Sequence, residues 1–167
     1  MAVAVGLRVA QTLLVAPWPP GFFADEAYYS TLADLIADGH GFIRPAEYFR
    51  DGLELPTAER APLFPLLIAG VYKLGITGGD ARLLGVLTGG ATVALLGLLG
   101  RMLAGWRAGL LAAGIATLYP TLIAADGAMM TESLYGALAT AAMLLAYKLS
   151  DKAPGQALVD RFLNDEL

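Results

Sequence analysis

Six ionisable residues fall in three short stretches whose side chains could do chemistry: Asp25 and Glu26 in ADEAYY, Glu59 and Arg60 in TAERAPLFPLL, and Asp126 and Glu132 in LIAADGAMMTESLY. A carboxylate in a lipid-rimmed cleft can take the proton of an attacking hydroxyl or hold a metal, and an arginine beside it offers a planar fork that fits a phosphate. Acids at the ends of apolar segments are often merely solvated, so each pair alone says little. Three acidic clusters arriving at one face say more. The chain has no cysteine and only His40 as a histidine, which rules out a thiolate nucleophile, a disulfide framework and a multi-histidine site.

The elements that must carry these residues are apolar. Hydrophobic residues make up 57% of the 167, charged ones 16%, and 20 are glycine; the mean hydropathy is +0.61. That pattern belongs to bilayer-embedded chains, and the net charge of -4 with no basic stripe argues against nucleic acid. Apolar runs cover residues 1–18, 62–76, 81–104, 108–125 and 131–150. A span needs about 20 residues, so the last three qualify; the first, somewhat short, is read as a span with Arg8 snorkelling to the cytoplasmic surface. The run 62–76, with Pro62 and Pro65 at its start and Lys73 near its end, suits an interfacial helix. The expected fold is therefore an all-α membrane protein of about four transmembrane helices plus juxtamembrane helices on the outer face. With the N-terminus cytoplasmic, Arg101, Arg107, Lys148 and Lys152 lie inside, and Asp25, Glu26, Glu59, Asp126 and Glu132 lie outside. A five-span chain with an outside N-terminus also satisfies the charge rule, but it separates Asp25 from Asp126 by the bilayer.

The outer loop, residues 19–61, holds eight acids against three arginines. Its first part reads as an amphipathic helix over 26–38, with Tyr28, Leu32, Leu35 and Ile36 on one side and Gly39 as its stop. Asp25 is then the N-cap and Glu26 sits at the positive helix end, a purely structural role that is compatible with a catalytic one. Trp18, Phe22, Tyr28 and Tyr29 read as an interfacial aromatic belt, Gly85, Gly89, Gly90, Ala94 and Gly97 as close helix packing, His40 as a loop residue, and Met129 and Met130 as interfacial packing.

Taken in order, ADEAYY, ERAPLFPLLIAGVYKL, ARLLGVLTGGATVALLGLLGRMLAG and GLLAAGIATLYPTLIAADGAMMTESLYGAL resemble the N-terminal third of the GT-C glycosyltransferases, in the branch of protein O-mannosyltransferases and aminoarabinose transferases. The likeness covers roughly residues 5–150. It implies transfer of a sugar, with inversion, from a polyprenyl-phosphate donor to a hydroxyl on a protein, lipid or glycan acceptor at the outer face of a bacterial plasma membrane. Asp25 matches the first-loop acid that acts as base or orients the acceptor, and Glu26 its supporting neighbour. Glu59 and Arg60 match the step that faces the donor phosphate. Asp126 and Glu132 match a second-loop cluster that some members use for a divalent metal and others do not, so metal binding stays open, with Asp25, Asp126 and Glu132 as the candidate ligands.

Family members continue through many more spans, whereas here the chain passes from 1–150 into a polar tail, 151–167, read as cytoplasmic. The expectation is a chain inactive alone, needing the missing C-terminal spans or a partner subunit. The alternative is a small non-catalytic membrane subunit or assembly protein that retains the first module. A transporter segment is disfavoured because no acid lies in the middle of a span.

Overall fold

A computed structural model describes residues 1–15 and 25–151; Trp18, Phe22, Lys152 and the rest of the tail lie outside them. Helix α1 (Ala2–Ala10) runs on into a π-helical stretch (Gln11–Val15). There follow α2 (Asp25–Ala37), α3 (Pro45–Asp51), α4 (Leu63–Lys73), a 3-10 turn (Gly78–Arg82), α5 (Leu83–Leu118), α6 (Pro120–Gly127) and α7 (Thr131–Asp151). Among the described residues the only extended pairing is a single bridge between Ile43 and Pro56. The chain is all-helical, as its composition implies, and the stretch Gly78–Leu118 is long and apolar enough to cross a membrane.

That stretch is not one rod. Ala104 (φ -142°, ψ 21°) and Gly105 (φ 83°, ψ 179°) leave helical geometry, Gly105 in a region open to glycine and costly for other residues. Beyond the turn the chain folds back: a Cβ at Gly97 would lie 3.2 Å from the Ala113 Cβ, and one at Gly100 would lie 3.1 Å from the Ala108 carbonyl oxygen. Residues so far apart in sequence meet only if 83–103 and 106–118 are antiparallel arms. The first arm, 21 residues at 1.5 Å rise, is about 31 Å long, which matches a bilayer core. Of the small residues that the sequence marks for close packing, Gly97 thus closes a hairpin within the chain, whereas Gly85 and Gly89 meet Asp126 and Gly90 meets Val5.

The expected run 108–125 is broken at Tyr119 (ψ 112°), because the residue before a proline is pushed out of helical geometry, and Pro120 then opens α6 at the position where its missing N–H costs nothing. Helices α6 and α7 meet at 118°. Helix α7 packs along α5, and α1 lies against α5 and α6. Ala4, Val93 and Ala116 form the centre of this bundle. Its outer flanks carry Leu87, Leu110, Leu111, Ile115, Leu145 and Leu149, all exposed.

A second layer sits at one end. Helix α2 packs on α4, and Tyr29, Ala33, Phe64, Ile68, Ala69, Tyr72, Ala81 and Met129 make its core. Helix α4 pairs with α2 rather than lying along α5, in keeping with the interfacial reading of residues 62–76. The buried face of α2 is Tyr29, Leu32, Ala33 and Leu35. It is turned from the expected face: Tyr29 enters the core and Tyr28 does not, since one residue is a 100° step around the helix. The helix closes with the His40 N–H donating to the Leu35 carbonyl (2.9 Å) and the Gly39 N–H to that of Ile36 (3.2 Å), the double bond pattern for which Gly39, at φ 97°, supplies the left-handed residue. Helix α3, which the hydrophobic pattern does not reveal, starts on Pro45 and ends on Gly52 at φ 69°.

Candidate functional site

The two ends of the bundle differ in charge. Arg101 and Arg107 flank the hairpin turn, and Tyr147 Oη donates to the Met102 carbonyl at 3.5 Å, which brings Lys148 to the same end. The opposite end carries the α2 to α4 layer and the α6–α7 junction, with the candidate acids.

Asp25 opens α2, one residue inside its expected cap position, and its side chain is not spent on capping: Oδ1 accepts from Nη2 of Arg60. The Arg60 guanidinium also lies over the rings of Tyr28 (5.3 Å) and Tyr29 (5.5 Å). Tyr28 Oη donates to Glu59 Oε2 at 3.2 Å, and Arg44 Nε lies 3.9 Å from Glu59 Oε1. Asp25, Tyr28, Glu59 and Arg60 therefore form one partly exposed patch, with the buried Tyr29 ring beneath the guanidinium. A guanidinium flanked by a carboxylate and two rings is held in one orientation, yet it stays open enough to meet a phosphate.

Glu26 points elsewhere. Its Oε1 accepts the Met129 backbone N–H at 3.1 Å, tying the start of α2 to the α6–α7 junction. Burial raises the Glu26 pKa above 4.5, while the Met129 bond and the charge of Arg82 pull it back. Arg82 is itself buried and donates from Nε to the Gly79 carbonyl at 3.0 Å. Beneath this strut Tyr72 Oη donates to Met129 Sδ at 3.8 Å. Burial first, and then the negative charges of Asp34 and Glu26, push the Tyr72 hydroxyl far above its usual value. Met129, read from the sequence as interfacial packing, is thus part of the core.

Two expectations need correction here. Arg8 does not snorkel to the cytoplasmic surface: it is wholly buried, 0% exposed, in the bundle. Its Nε donates to Asp126 Oδ2 at 2.6 Å, one terminal nitrogen to the Ala4 carbonyl at 3.2 Å and the other to that of Ala116 at 3.1 Å. Asp126, 2% exposed, is correspondingly inside the bundle rather than on the face with Asp25. The reason is room and charge. A Cβ at Gly89 would overlap the Asp126 carboxylate and one at Gly85 its carbonyl, so the missing side chains on α5 admit Asp126 to the level of Arg8, and two opposite charges taken out of water must pair. Glu132 is exposed at the start of α7. Asp25, Asp126 and Glu132 are therefore not one ligand set; among the described residues no group of three potential metal-ligating side chains occurs.

A hydrogen-bonded chain of Glu54, His40 and Tyr48 escapes sequence reasoning. Glu54 Oε1 lies 2.7 Å from His40 Nδ1, and Tyr48 Oη 3.2 Å from Nε2. The three residues sit 14 and 8 positions apart around a loop, with no motif to announce them; their evident task is to tie the loop after α2 to the end of α3. Comparison with protein-family models, curated proteins and solved structures finds no match.

Proposed function

We propose that this chain is the N-terminal part of a multi-pass membrane glycosyltransferase, transferring a sugar from a polyprenyl-phosphate donor to an acceptor hydroxyl at the outer face. The observation that carries this is the pairing of Asp25 with Arg60 beside Glu59, which joins two stretches 35 residues apart in the arrangement that such a reaction needs. Asp25 accepts the proton of the acceptor hydroxyl as its oxygen bonds to the anomeric carbon; the bond from that carbon to the phosphate oxygen breaks, and polyprenyl phosphate leaves. Arg60 meets the charge that builds on the departing phosphate, a stabilisation larger in the transition state than in the ground state. Glu26 supports rather than reacts, holding α2 to the α6–α7 junction through Met129.

The four crossings of this reading are α1 with its π-helical continuation, the first arm of α5, the second arm continued through α6, and α7; they fit the basic end formed by Arg101, Arg107 and Lys148 when that end is cytoplasmic. The exposed leucines of α5 and α7 face lipid in this arrangement. The test is native mass spectrometry of the chain released from nanodiscs holding mannosyl dodecaprenyl phosphate. The wild type should retain the lipid, Arg60→Met should lose it, and Arg107→Met, at the far end, should not. Absence of any wild-type adduct would sink the reading.

A second reading, a non-catalytic membrane subunit, draws on one specific observation: the Arg60 charge is already balanced by Asp25, so a donor phosphate must displace or share that partner. Asp25→Asn separates the two. It strengthens phosphate binding if Asp25 competes for Arg60, and changes nothing if the patch is only structural.

A further inference from the structure

A small cavity of about 40 Å³ lies inside the bundle where α1, α5, α6 and α7 meet, lined among others by Arg8, Thr92, Asp126, Glu132, Ser133 and Gly136. It is distinct from the Asp25 patch, which lies across the α6–α7 junction that Glu26 holds. We propose that it is a water site that hydrates the Arg8–Asp126 ion pair and links it to the surface at Glu132.

Three observations converge on water. The Ser133 hydroxyl lines the cavity, its residue only 4% exposed, and has no hydrogen-bond partner. A buried hydroxyl left unpaired is costly, and such groups in native proteins generally hold an ordered water. Next, the guanidinium of Arg8 carries five N–H groups, three of them engaged in the bonds above, and Arg8 lines the cavity. Thr92 donates to the Thr88 carbonyl at 3.0 Å and keeps its oxygen lone pairs free to accept. Last, the size fits: a water needs roughly 10–15 Å³ of such space and two to four polar partners, so the site holds about two or three molecules. The space is far below the roughly 300–1,000 Å³ of organic ligand pockets.

The ligand is also chosen by charge. Arg8 and Asp126 cancel and Glu132 stands at the mouth, so an anion is repelled, and a metal cation would find no group of three ligating side chains among the described residues. Neutral molecules that both donate and accept satisfy every group between them: they accept from Ser133 and Arg8 and donate to the second Asp126 oxygen, to Thr92 and to Glu132. Water in this position lowers the desolvation cost that opposes any buried ion pair. The site does not depend on the sugar-transfer reading and stands or falls separately.

The experiment is water-edited solid-state NMR on the full chain in liposomes, with arginine, lysine, serine and valine labelled. Magnetisation should pass from water to the Arg8 side-chain nitrogens and to Ser133 within milliseconds, as fast as to exposed Lys73, although Arg8 is wholly buried. Ser133→Val, which fills the space and removes the hydroxyl, should slow the build-up at Arg8 several-fold and leave Lys73 unchanged; Ser133→Ala, which leaves the space, should keep it. A wild-type build-up at Arg8 as slow as at dry-core Val93 overturns the proposal, as does an Arg8 build-up in Ser133→Val equal to the wild type's. If Ser133→Val fails to fold, the wild-type comparison of Arg8 with Val93 decides alone.

Discussion

The burial of Arg8 and Asp126 makes a quantitative claim that a double-mutant cycle can test. Arg8→Met keeps most of the side-chain stem and removes the charge; Asp126→Asn keeps the shape and removes the other. Each single change leaves one uncompensated charge, or its broken hydrogen bonds, at a position 0% or 2% exposed in the native bundle. Losing one partner of a buried pair costs about 3–5 kcal/mol, which at about 1.4 kcal/mol per decade is roughly a 10²- to 10⁴-fold loss in the folding equilibrium. Arg8 is asked to lose more than the ion pair, because it also donates to the Ala4 and Ala116 carbonyls and so clamps α1 to the end of the second α5 arm. The double variant removes both charges together and should cost no more than the larger single change, a coupling of about 3 kcal/mol. Reversible unfolding in mixed micelles, followed by circular dichroism as the sodium dodecyl sulfate fraction rises, measures all four corners. Additive losses, or single changes each costing under about 1 kcal/mol, would mean that the pair is a surface one, open to bulk solvent.

Three further outcomes follow from the geometry. Spin labels at positions 87 and 118 should lie on the order of 10–20 Å apart if the arms of α5 are antiparallel with axes 8–10 Å apart, against about 46 Å for a straight helix; Gly109→Val, whose Cβ would press to 2.6 Å from the Gly97 carbonyl oxygen, should lengthen that distance. Glu26 and Asp34 have pKa values raised above 4.5 and 3.8, in both cases by burial first. The folded chain therefore keeps protons that the unfolded chain has released. That share of stability is full below those ordinary values and is lost as pH rises through the raised ones, and Glu26→Gln should flatten the slope while keeping an acceptor for Met129. Asp25→Ala should cost under about 1 kcal/mol, since both partners of its ion pair are partly exposed; under the proposed function it should also abolish sugar transfer, a split that a merely structural cap would not give.

How much of this was legible in the sequence follows from the range of the forces involved. Local signals read well: Gly39 as a helix stop, the short proline-led α4 and the turn near residue 104 all depend on backbone preferences within a few residues. Pro120 carried an equally local signal, its effect on Tyr119, which a count of apolar residues across 108–125 passes over. The orientation of α2 needed more, because the pattern 28, 32, 35, 36 and the true face 29, 32, 33, 35 are both apolar, and the choice is made by Phe64 and Tyr72 on another helix. The Arg8–Asp126 pair lay furthest out of reach, 118 residues apart, and each member alone has an ordinary explanation at a membrane surface. The signal that could have joined them was the balance of charge in the spans: Arg8 is the only charge within the first apolar run, and an arginine there calls for an acid at the same depth. The glycines of α5 supplied the missing half. Gly85 and Gly89, four residues apart on one face, leave a notch in the bundle, and a notch facing a chain that carries an unpaired acid is where that acid can enter. The same reasoning separates the two acidic pairs that look alike in sequence. Asp25 meets Arg60 at the surface, where the pair can open for a ligand, whereas Asp126 meets Arg8 in the interior, where opening would leave two charges with only a cavity of about 40 Å³ beside them and no bulk solvent.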